Sequence, residues 1–461
     1  MQVCILNGSP KGEKSVTMQY VRFMELADPD NSYVSHEISH KINEIERKPE
    51  KMDEICNTIR DSDLILWATP VYYQHVPAQY KRFIELLFER KLTGVFSGKY
   101  AASLTTSVHF FDQKVHEYLQ GISEDLGMNY AGSFPAGMND LLEEKNQKKL
   151  AFFGKDIIDA CMNKRPVPRA YLPVPEDNVR YIPGDCSNPV DSKGKKILIL
   201  HDSINNSNLE AMIRQFEQSF PDAKTFHLDE IGMKGGCLGC VQCAFENQCI
   251  YKDGFASFWI KQIEPADIII FAGTIRDRYL SAKWKQFFDR SFFLGHIPKY
   301  SGKQVIIMVE GPLSQVTGLR ENLSSLTTGA NLVEIITDED ETDFTSSLIR
   351  STAERAVRYA VEGYIRPPMF PDVGGHIVLR DAVWGDLRPM FRADHRYYKS
   401  HGLYDFPQYQ YGKRINRFFF SLFMGIPMIQ KRVKPAMKEH MIQPYNRIFN
   451  ESKILNRKEV N

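Results

Sequence analysis

Residues 63–99 and 267–303 align without a gap at an offset of 204, from Asp63 to Asp267, and this internal repeat constrains the fold more than any other feature. Ala68 pairs with Ala272, Ala78 with Ala282, Lys81 with Lys285, Phe83 with Phe287, and Ser97-Gly98-Lys99 with Ser301-Gly302-Lys303. Whatever architecture the first copy adopts must therefore be built twice. The opening apolar runs, Gln2–Leu6 and Lys196–Leu200, stand only 194 apart, so the second copy has gained ten residues before Asp267. Between the copies, Pro166 to Lys195 is rich in Pro, Asp, Asn, Ser and Gly and reads as a connector. The expected domains are 1–165, a linker over 166–195, a second domain over 196–365, and an extension over 366–461. A chain of 461 residues with 43% apolar content can fill such cores. Its 58 basic and 57 acidic residues give no global case for nucleic-acid binding. No apolar run reaches the length of a membrane span.

Within the first copy, Gln2–Leu6 is a short continuous apolar run of the kind found in buried parallel strands. It leads into the small-residue loop Asn7–Thr17 and then an amphipathic helix through Tyr20, Phe23 and Met24. A strand feeding a helix N-terminus through such a loop is an anion site, because free N–H groups and the helix dipole point at the bound charge. Ser9, Ser15 and Thr17 add hydroxyl donors and Lys11 a cation. The Walker lysine pattern and the dinucleotide glycine spacing are both missing. A second strand, Asp63–Ala68, ends in a loop holding Pro70, Val71, Tyr72 and Tyr73. Ligands of open parallel sheets sit beyond the carboxyl ends of the strands, so this aromatic loop belongs beside the phosphate loop. A strand over Tyr100–Thr105 then supplies the loop Thr105–His109, which contains Thr106. A helix through Tyr118 and Leu126, a short strand near Tyr130–Phe134 and a helix from about Glu143 to Cys161 complete the copy.

The second copy carries four of the chain's eight cysteines in one loop, Cys237, Cys240, Cys243 and Cys249. The first three are separated by two residues each, so a compact loop can turn the sulfurs toward one centre. Gly235, Gly236 and Gly239 let the backbone bend around it. This is the pattern of an iron-sulfur cluster, expected to be of the 4Fe–4S type. Structural zinc, whose usual ligands form two separated knuckles, and a redox-active or vestigial thiol cluster are the alternatives. Disulfides fit poorly with a chain opening on Met-Gln-Val-Cys-Ile-Leu without leader features, so a reducing cytoplasmic setting is expected. Cys4, Cys56, Cys161 and Cys186 are scattered and read as inert thiols.

Asn7-Gly-Ser-Pro-Lys with Ser15 and Thr17, followed by Pro70-Val-Tyr-Tyr and Ala78-Gln-Tyr-Lys, resembles the NADPH-dependent FMN reductase family of flavodoxin-like proteins. The resemblance implies an FMN phosphate on the first loop and an isoalloxazine flanked by Pro70, Val71, Tyr72 and Tyr73, with Thr106 on the third loop. Val16 departs from the Asn that many members carry there. The cysteine run resembles that of the iron-sulfur flavoproteins, a branch of the same superfamily, in which one subunit's cluster approaches the partner's flavin. In the second copy Asp202 replaces Gly8, while Thr274, Arg276 and Asp277 answer Pro70, Tyr72 and Tyr73. The expected loss there is of both the rigid turn and the stacking aromatics. FMN in the first copy and a cluster in the second would make a pseudo-dimer in one chain.

The expected fold is two tandem flavodoxin-like, doubly wound parallel-sheet α/β domains with a mainly helical C-terminal extension. The expected activity is NAD(P)H-dependent FMN oxidoreduction through an iron-sulfur cluster to a small-molecule or protein acceptor. Reduction by ferredoxin instead of NAD(P)H and a zinc-bearing, flavin-free scaffold are the alternatives, and homo-oligomers are allowed. No acid–base catalytic residue is assigned, since hydride transfer to flavin needs none. Residues 367–411 read as a loop-rich aromatic arm or pocket lid. From Lys413 onward, eleven Lys and Arg face three Glu around the run Phe418–Pro427, a segment able to lie on an anionic membrane or dock on a protein surface.

Overall fold

In the computed structural model the described residues are 1–175, 180–184, 189–327, 329–424, 426–433, 435 and 443. The chain divides into two compact units, Met1–Tyr398 and Lys399–Asn461, and both copies of the repeat lie in the first.

The first copy runs β1 (Gln2–Asn7), α1 (Val16–Ala27), β2 (Ser32–Glu37), α2 (Ile42–Arg47), α3 (Pro49–Asp61), β3 (Leu64–Pro70), α4 (Ala78–Glu89), β4 (Tyr100–Ser107), α5 (Gln113–Asp125), β5 (Asn129–Gly137) and α6 (Glu144–Met162). Its sheet is all parallel in the order β2-β1-β3-β4-β5. The second copy comprises β6 (Ile197–His201), α7 (Asn208–Ser219), β7 (Lys224–His227), α8 (Phe255–Phe258), β8 (Ile268–Arg276), β9 (Tyr279–Leu280), α9 (Ala282–Arg290), β10 (Gln304–Glu310), α10 (Leu319–Leu326), β11 (Asn331–Thr337) and α11 (Thr342–Glu362). Its order, β7-β6-β8-β10-β11, repeats the first topology strand for strand. Central strands such as Leu64–Ala68 and Ile268–Ala272 are buried on both faces, which is why they read as unbroken apolar runs rather than alternating ones.

One face of each sheet has its own core: Val3, Ile5, Leu64 and Leu66 under α1 and α6, and Ile197, Ile199, Ile268 and Ile270 under α7 and α11. The opposite faces share a single core that runs from Trp67 and Phe83 through to Phe271, Trp284 and Phe287. The copies are joined there by α4 and α9, whose contacts repeat under exchange of the halves. Ala78 N donates to Asp289 at 2.8 Å, and Ala282 N donates to Glu85 at 2.6 Å. Lys81 Nζ donates to the Arg276 carbonyl at 2.8 Å, and Lys285 Nζ to the Tyr72 carbonyl at 2.9 Å. Each lysine also pairs with the carboxylate one turn on, Lys81 with Glu85 and Lys285 with Asp289. His75 stacks on its repeat counterpart Tyr279 with ring centroids 4.0 Å apart. Reciprocity of this kind is the mark of an isologous two-fold interface, here formed within one chain.

Two expectations are corrected. The turn after β3 survives in the second copy: Tyr73 and Gln74 (φ 42° and 65°) are matched by Asp277 and Arg278 (φ 46° and 63°). Both have the positive-φ geometry of a type I′ turn, and in the second copy it pairs β8 with β9. The turn is held by the seam, through Lys81 and Lys285, so it persists without Pro70. The arm after residue 366 is largely helical, with α12 (Phe370–Trp384) and α13 (Arg392–Ser400). Its prolines misled because Pro371 lies in the first turn, where no N–H is missed, and Asp372 accepts the Met369 N–H at 3.0 Å. The described parts of the connector 166–195 form no helix or strand, and Cys186 lies outside the described residues. Among the described residues every cysteine is a free thiol. Burial pushes Cys4 up to about 12, in line with an inert role.

Asp289→Ala strands the buried ammonium of Lys285 and the Ala78 N–H together. We expect a loss of about 3–5 kcal/mol, read from urea unfolding. His116, whose ring nitrogens meet Ser103 Oγ at 2.6 Å and Thr105 Oγ1 at 2.8 Å, ties α5 to β4. Burial lowers it from 6.5 to about 4, so between those values the unfolded chain binds the proton that the folded chain refuses. Its contribution is whole above pH 6.5 and lost as pH falls toward 4, about 3 kcal/mol in all. Urea midpoints at pH 7 and 4.5 should therefore fall further for the native chain than for His116→Asn.

Candidate functional site

β1 delivers the first loop to the carboxyl edge of the sheet. Asn7 Oδ1 accepts the Ser9 N–H at 2.9 Å, and Ser9 Oγ accepts the Lys11 N–H at 3.3 Å. Gly8 has no room for a side chain: a Cβ there would stand 2.8 Å from Thr69 and from the Tyr80 ring. Ser15 caps α1 by accepting the Met18 N–H at 3.2 Å. Thr17 Oγ1 lies 2.6 Å from Thr106 Oγ1, which draws the first and third loops together. Ser9, Ser15, Thr17 and Thr106 are buried, whereas Lys11 is exposed. Asn7 Nδ2 is buried with no hydrogen-bond partner, so the cradle holds an unused donor. Glu37 accepts the Glu13 N–H at 3.3 Å, and Lys41 neutralises it at 2.9 Å.

The second loop is fixed to the third by Val71 N, which donates to the Thr106 carbonyl at 3.1 Å. Tyr72 and His75 exchange two backbone hydrogen bonds of 2.8 and 3.0 Å, closing the turn. The two tyrosines then part. Tyr73 packs into the seam, its ring stacked on Phe288 at 5.9 Å with Lys299 Nζ 4.5 Å from its centroid. Tyr72 points its hydroxyl at Gly239 in the cysteine loop, where any side chain would collide with it. The same glycine faces Lys11, whose Cε is 3.0 Å from where a Cβ would be. Burial, followed by the charges of Cys237, Asp289 and Cys240, drives the Tyr72 phenol well above its ordinary range. The first two loops and the cysteine loop therefore meet, although they come from opposite halves.

The cysteine loop spans the interval between β7 and α8. Gln79, at the start of α4, donates to the Cys237 carbonyl at 3.1 Å, and a Cβ on Gly236 would fall 2.7 Å from the Gln79 amide. Arg290, at the end of α9, clamps the base of the loop: it donates to the Gly235 carbonyl at 3.0 Å and to both Asp253 oxygens at 2.8 and 2.9 Å. Burial opposes the charge on Asp253, yet the guanidinium holds it down at about 2. The Gly239 N–H donates to Cys237 Sγ at 3.4 Å, and Cys243 Sγ approaches the Phe292 carbonyl at 3.7 Å. Burial pushes Cys237 up to about 12 and Cys243 to about 11, while Lys285 and Lys299 are near enough to interact with the thiols electrostatically. Among the described residues no three Cys, His, Asp or Glu side chains converge as ligands of a single metal ion. The loop brings four sulfurs to one region without closing them on one point.

At the same edge of the second copy, carboxylates take the donors. Asp202 accepts the Thr274 N–H at 3.3 Å and the Ser281 hydroxyl. Glu310 accepts Asn208 N at 3.0 Å and Thr274 Oγ1 at 2.9 Å, and Asp338 accepts Gly311 N at 2.8 Å. Three carboxylates stand where a phosphate would need positive or neutral donors. Sequence reasoning found both loops and the cysteines. It missed the Arg290–Asp253 clamp, which carries no motif, and the contact that Gln79 of the Ala78-Gln-Tyr-Lys motif makes with the cysteine loop, whereas the arm, read as an arm or pocket lid, does reach the loops. Gly375 of α12 packs on Phe110 and Phe111 beside the third loop, while Arg396 of α13 donates to the Phe245 carbonyl of the cysteine loop at 3.1 Å.

A model of the family described as NADPH-dependent FMN reductase matches residues 1–138 and again 195–335. No curated protein matches the chain in sequence. Among solved structures, the flavoenzyme NAD(P)H:(acceptor) oxidoreductase FerB from Paracoccus denitrificans is 18% identical, over 35% of this chain and 97% of its own, with a TM-score of 0.29. NADH:FMN oxidoreductase EMOB in its apo form is 17% identical over 35% of this chain and 89% of its own, with a TM-score of 0.30. An FMN-dependent NADH-azoreductase from Bacillus anthracis is 13% identical over 36% and 99%, with a TM-score of 0.28. Each covers about a third of this chain. The family match spans both halves, and with it the chain belongs to the NADPH-dependent FMN reductase family of FMN-dependent NAD(P)H oxidoreductases, carrying the family's domain in duplicate.

Proposed function

We propose that the protein is a split-site iron-sulfur flavoprotein, with FMN on the first half and a 4Fe–4S cluster on the second, passing electrons from NAD(P)H to a small-molecule or protein acceptor. The observation that carries this reading is the meeting at Gly239, where the cysteine loop of one half lies against Tyr72 and Lys11 of the other. The first-half cradle suits an FMN phosphate: buried hydroxyls on Ser9, Ser15 and Thr17, an unused amide on Asn7, and the N-terminus of α1. Four thiols in one glycine-rich loop, with an N–H already directed at Cys237 Sγ, suit a cluster, whose ligands need not share one metal. A lone zinc ion has weaker support, since no three ligands converge on a point among the described residues. FMN held in that cradle would supply two-electron chemistry by single hydride transfer, and a cluster one-electron transfer.

The chain's own residues hold and separate these groups. Ser9, Lys11, Ser15 and Thr17 neutralise and orient the phosphate, and Thr106 fixes Thr17. The Pro70–Tyr72 segment walls one side of the ring site. Tyr73 supports that wall from the seam instead of touching the ligand. Cys237, Cys240, Cys243 and Cys249 hold the cluster, and the Arg290 clamp keeps their loop pressed on Tyr72.

Iron, sulfide, zinc and FMN measured together on anaerobically purified protein test the reading. The expected result is about one FMN and about four iron per chain. Flavin without iron or sulfide would overturn the cluster, and two FMN per chain would overturn the division of labour. Cys237→Ser should abolish bound iron and leave FMN content unchanged. Thr17→Val should weaken FMN binding about tenfold, the worth of one buried hydrogen bond, by fluorescence titration. Stopped-flow reduction by NADPH against reduced ferredoxin identifies the donor.

A further inference from the structure

The second unit carries a surface that the redox reading leaves unused. Its helix α14 (Tyr411–Met424) places Tyr411, Ile415, Phe418, Phe419 and Leu422 at helical spacings of four, seven, eight and eleven residues, hence on one face. Each of these five side chains is more than half exposed, and Phe423 beside them is too. Two phenylalanines, a tyrosine, a leucine and an isoleucine uncovered on a single helix face form an apolar patch of a kind that isolated surface residues do not make. Phe418 and Phe419 lean edge-to-face, with ring centroids 5.8 Å apart. Lys413, Arg414 and Arg417 lie on the remaining arc together with the exposed Phe420, and α15 (Pro427–Val433) adds Lys431 and Arg432. From Tyr411 to Val433 there is no acidic residue at all.

We propose that α14 is a membrane-surface helix that seats the protein on an anionic lipid bilayer. An apolar face whose only charged neighbours are cations fits the boundary between acyl chains and anionic headgroups, where aromatic rings bury and Lys and Arg reach phosphate. A docking helix on a folded partner commonly mixes signs along its rim to fix its register, and this one carries a single sign. No helix among the described residues is long and apolar enough to cross a membrane, so the contact is peripheral. The inference is independent of which cofactors the first unit holds.

Co-sedimentation of the full-length protein with vesicles of phosphatidylcholine alone, and of phosphatidylcholine with phosphatidylglycerol, tests it. The expected result is binding at least tenfold tighter to the anionic vesicles, weakened by raising the salt. A chain with Phe418→Ser, Phe419→Ser and Leu422→Ser should lose vesicle binding. A chain with Lys413→Gln, Arg414→Gln and Arg417→Gln should bind anionic vesicles about a hundredfold more weakly. Both should keep the flavin-reductase rate of the parent, which shows that they fold. Absence of binding to either vesicle, or equal binding to both, overturns the proposal. So does a concentration-dependent self-association in light scattering that the serine variant abolishes, which would assign the face to a second copy of the chain.

Discussion

The molecule depends on the seam between α4 and α9, and the seam depends on two lysines buried beside carboxylates. Lys81 and Lys285 are fully buried, each within reach of a carboxylate on its own helix and of a backbone carbonyl in the opposite half. Desolvation lowers Lys285 and raises Asp289 to about 6, so burial works against the charges of this pair, and the hydrogen bonds across the seam must offset it. An apolar seam would cost less and could slide. Glu85 and Asp289 each accept the first free N–H of the other half's helix, which fixes the two helices in rotation and in register. The shared core from Trp67 to Phe287 supplies the bulk of the adhesion, and the polar pairs decide where it sets.

That register places the chemistry. The Tyr72 carbonyl is held by Lys285, so the aromatic loop of the first half is set by a helix of the second. Gln79 grips the cysteine loop from α4, and Arg290 grips it from α9, one residue after Asp289. Flavin loops and thiols are thus positioned by the same pair of helices that join the halves. A shift of the seam by one helical turn would carry Gly239 away from Tyr72 by about 5 Å.

Much of this was legible in the chain. The strands announced themselves as apolar runs, the loops as small and hydroxylated residues after them, and the repeat as matched lysines at 81 and 285. Only the fold shows those lysines at the centre of an interface, because burial of a charge leaves no trace in local sequence. Tyr73 was grouped with Tyr72 as a ring neighbour. A positive φ at Tyr73 turns its side chain into the seam, and adjacent residues in a tight turn seldom face the same way. The second copy's turn was judged lost with its proline, yet two positive-φ residues and a lysine from across the seam keep it. The arm was hidden by its prolines, of which Pro371 sits in the first turn of α12, and by Gly374-Gly375, which lie within that helix and let it approach Phe110 and Phe111 closely.

Fusion of the halves explains why they differ at all. In a symmetric dimer of identical chains every substitution appears twice, so an aspartate at a phosphate loop would remove both flavin sites, and a lengthened loop would have to fit on both sides of the seam. Within one chain Asp202 can replace Gly8 in the second half alone, where it bonds Thr274 and Ser281, while Gly8 stays pressed between Thr69 and Tyr80 in the first. The cysteine loop likewise occupies one side only, and the opposite side keeps the open hydroxyl cradle. The reciprocal contacts that remain are those that hold the halves together, and the contacts that have diverged are those at the two sites. Adhesion needs the symmetry, because each half supplies the other's missing acceptor, whereas two unlike loop clusters need it broken.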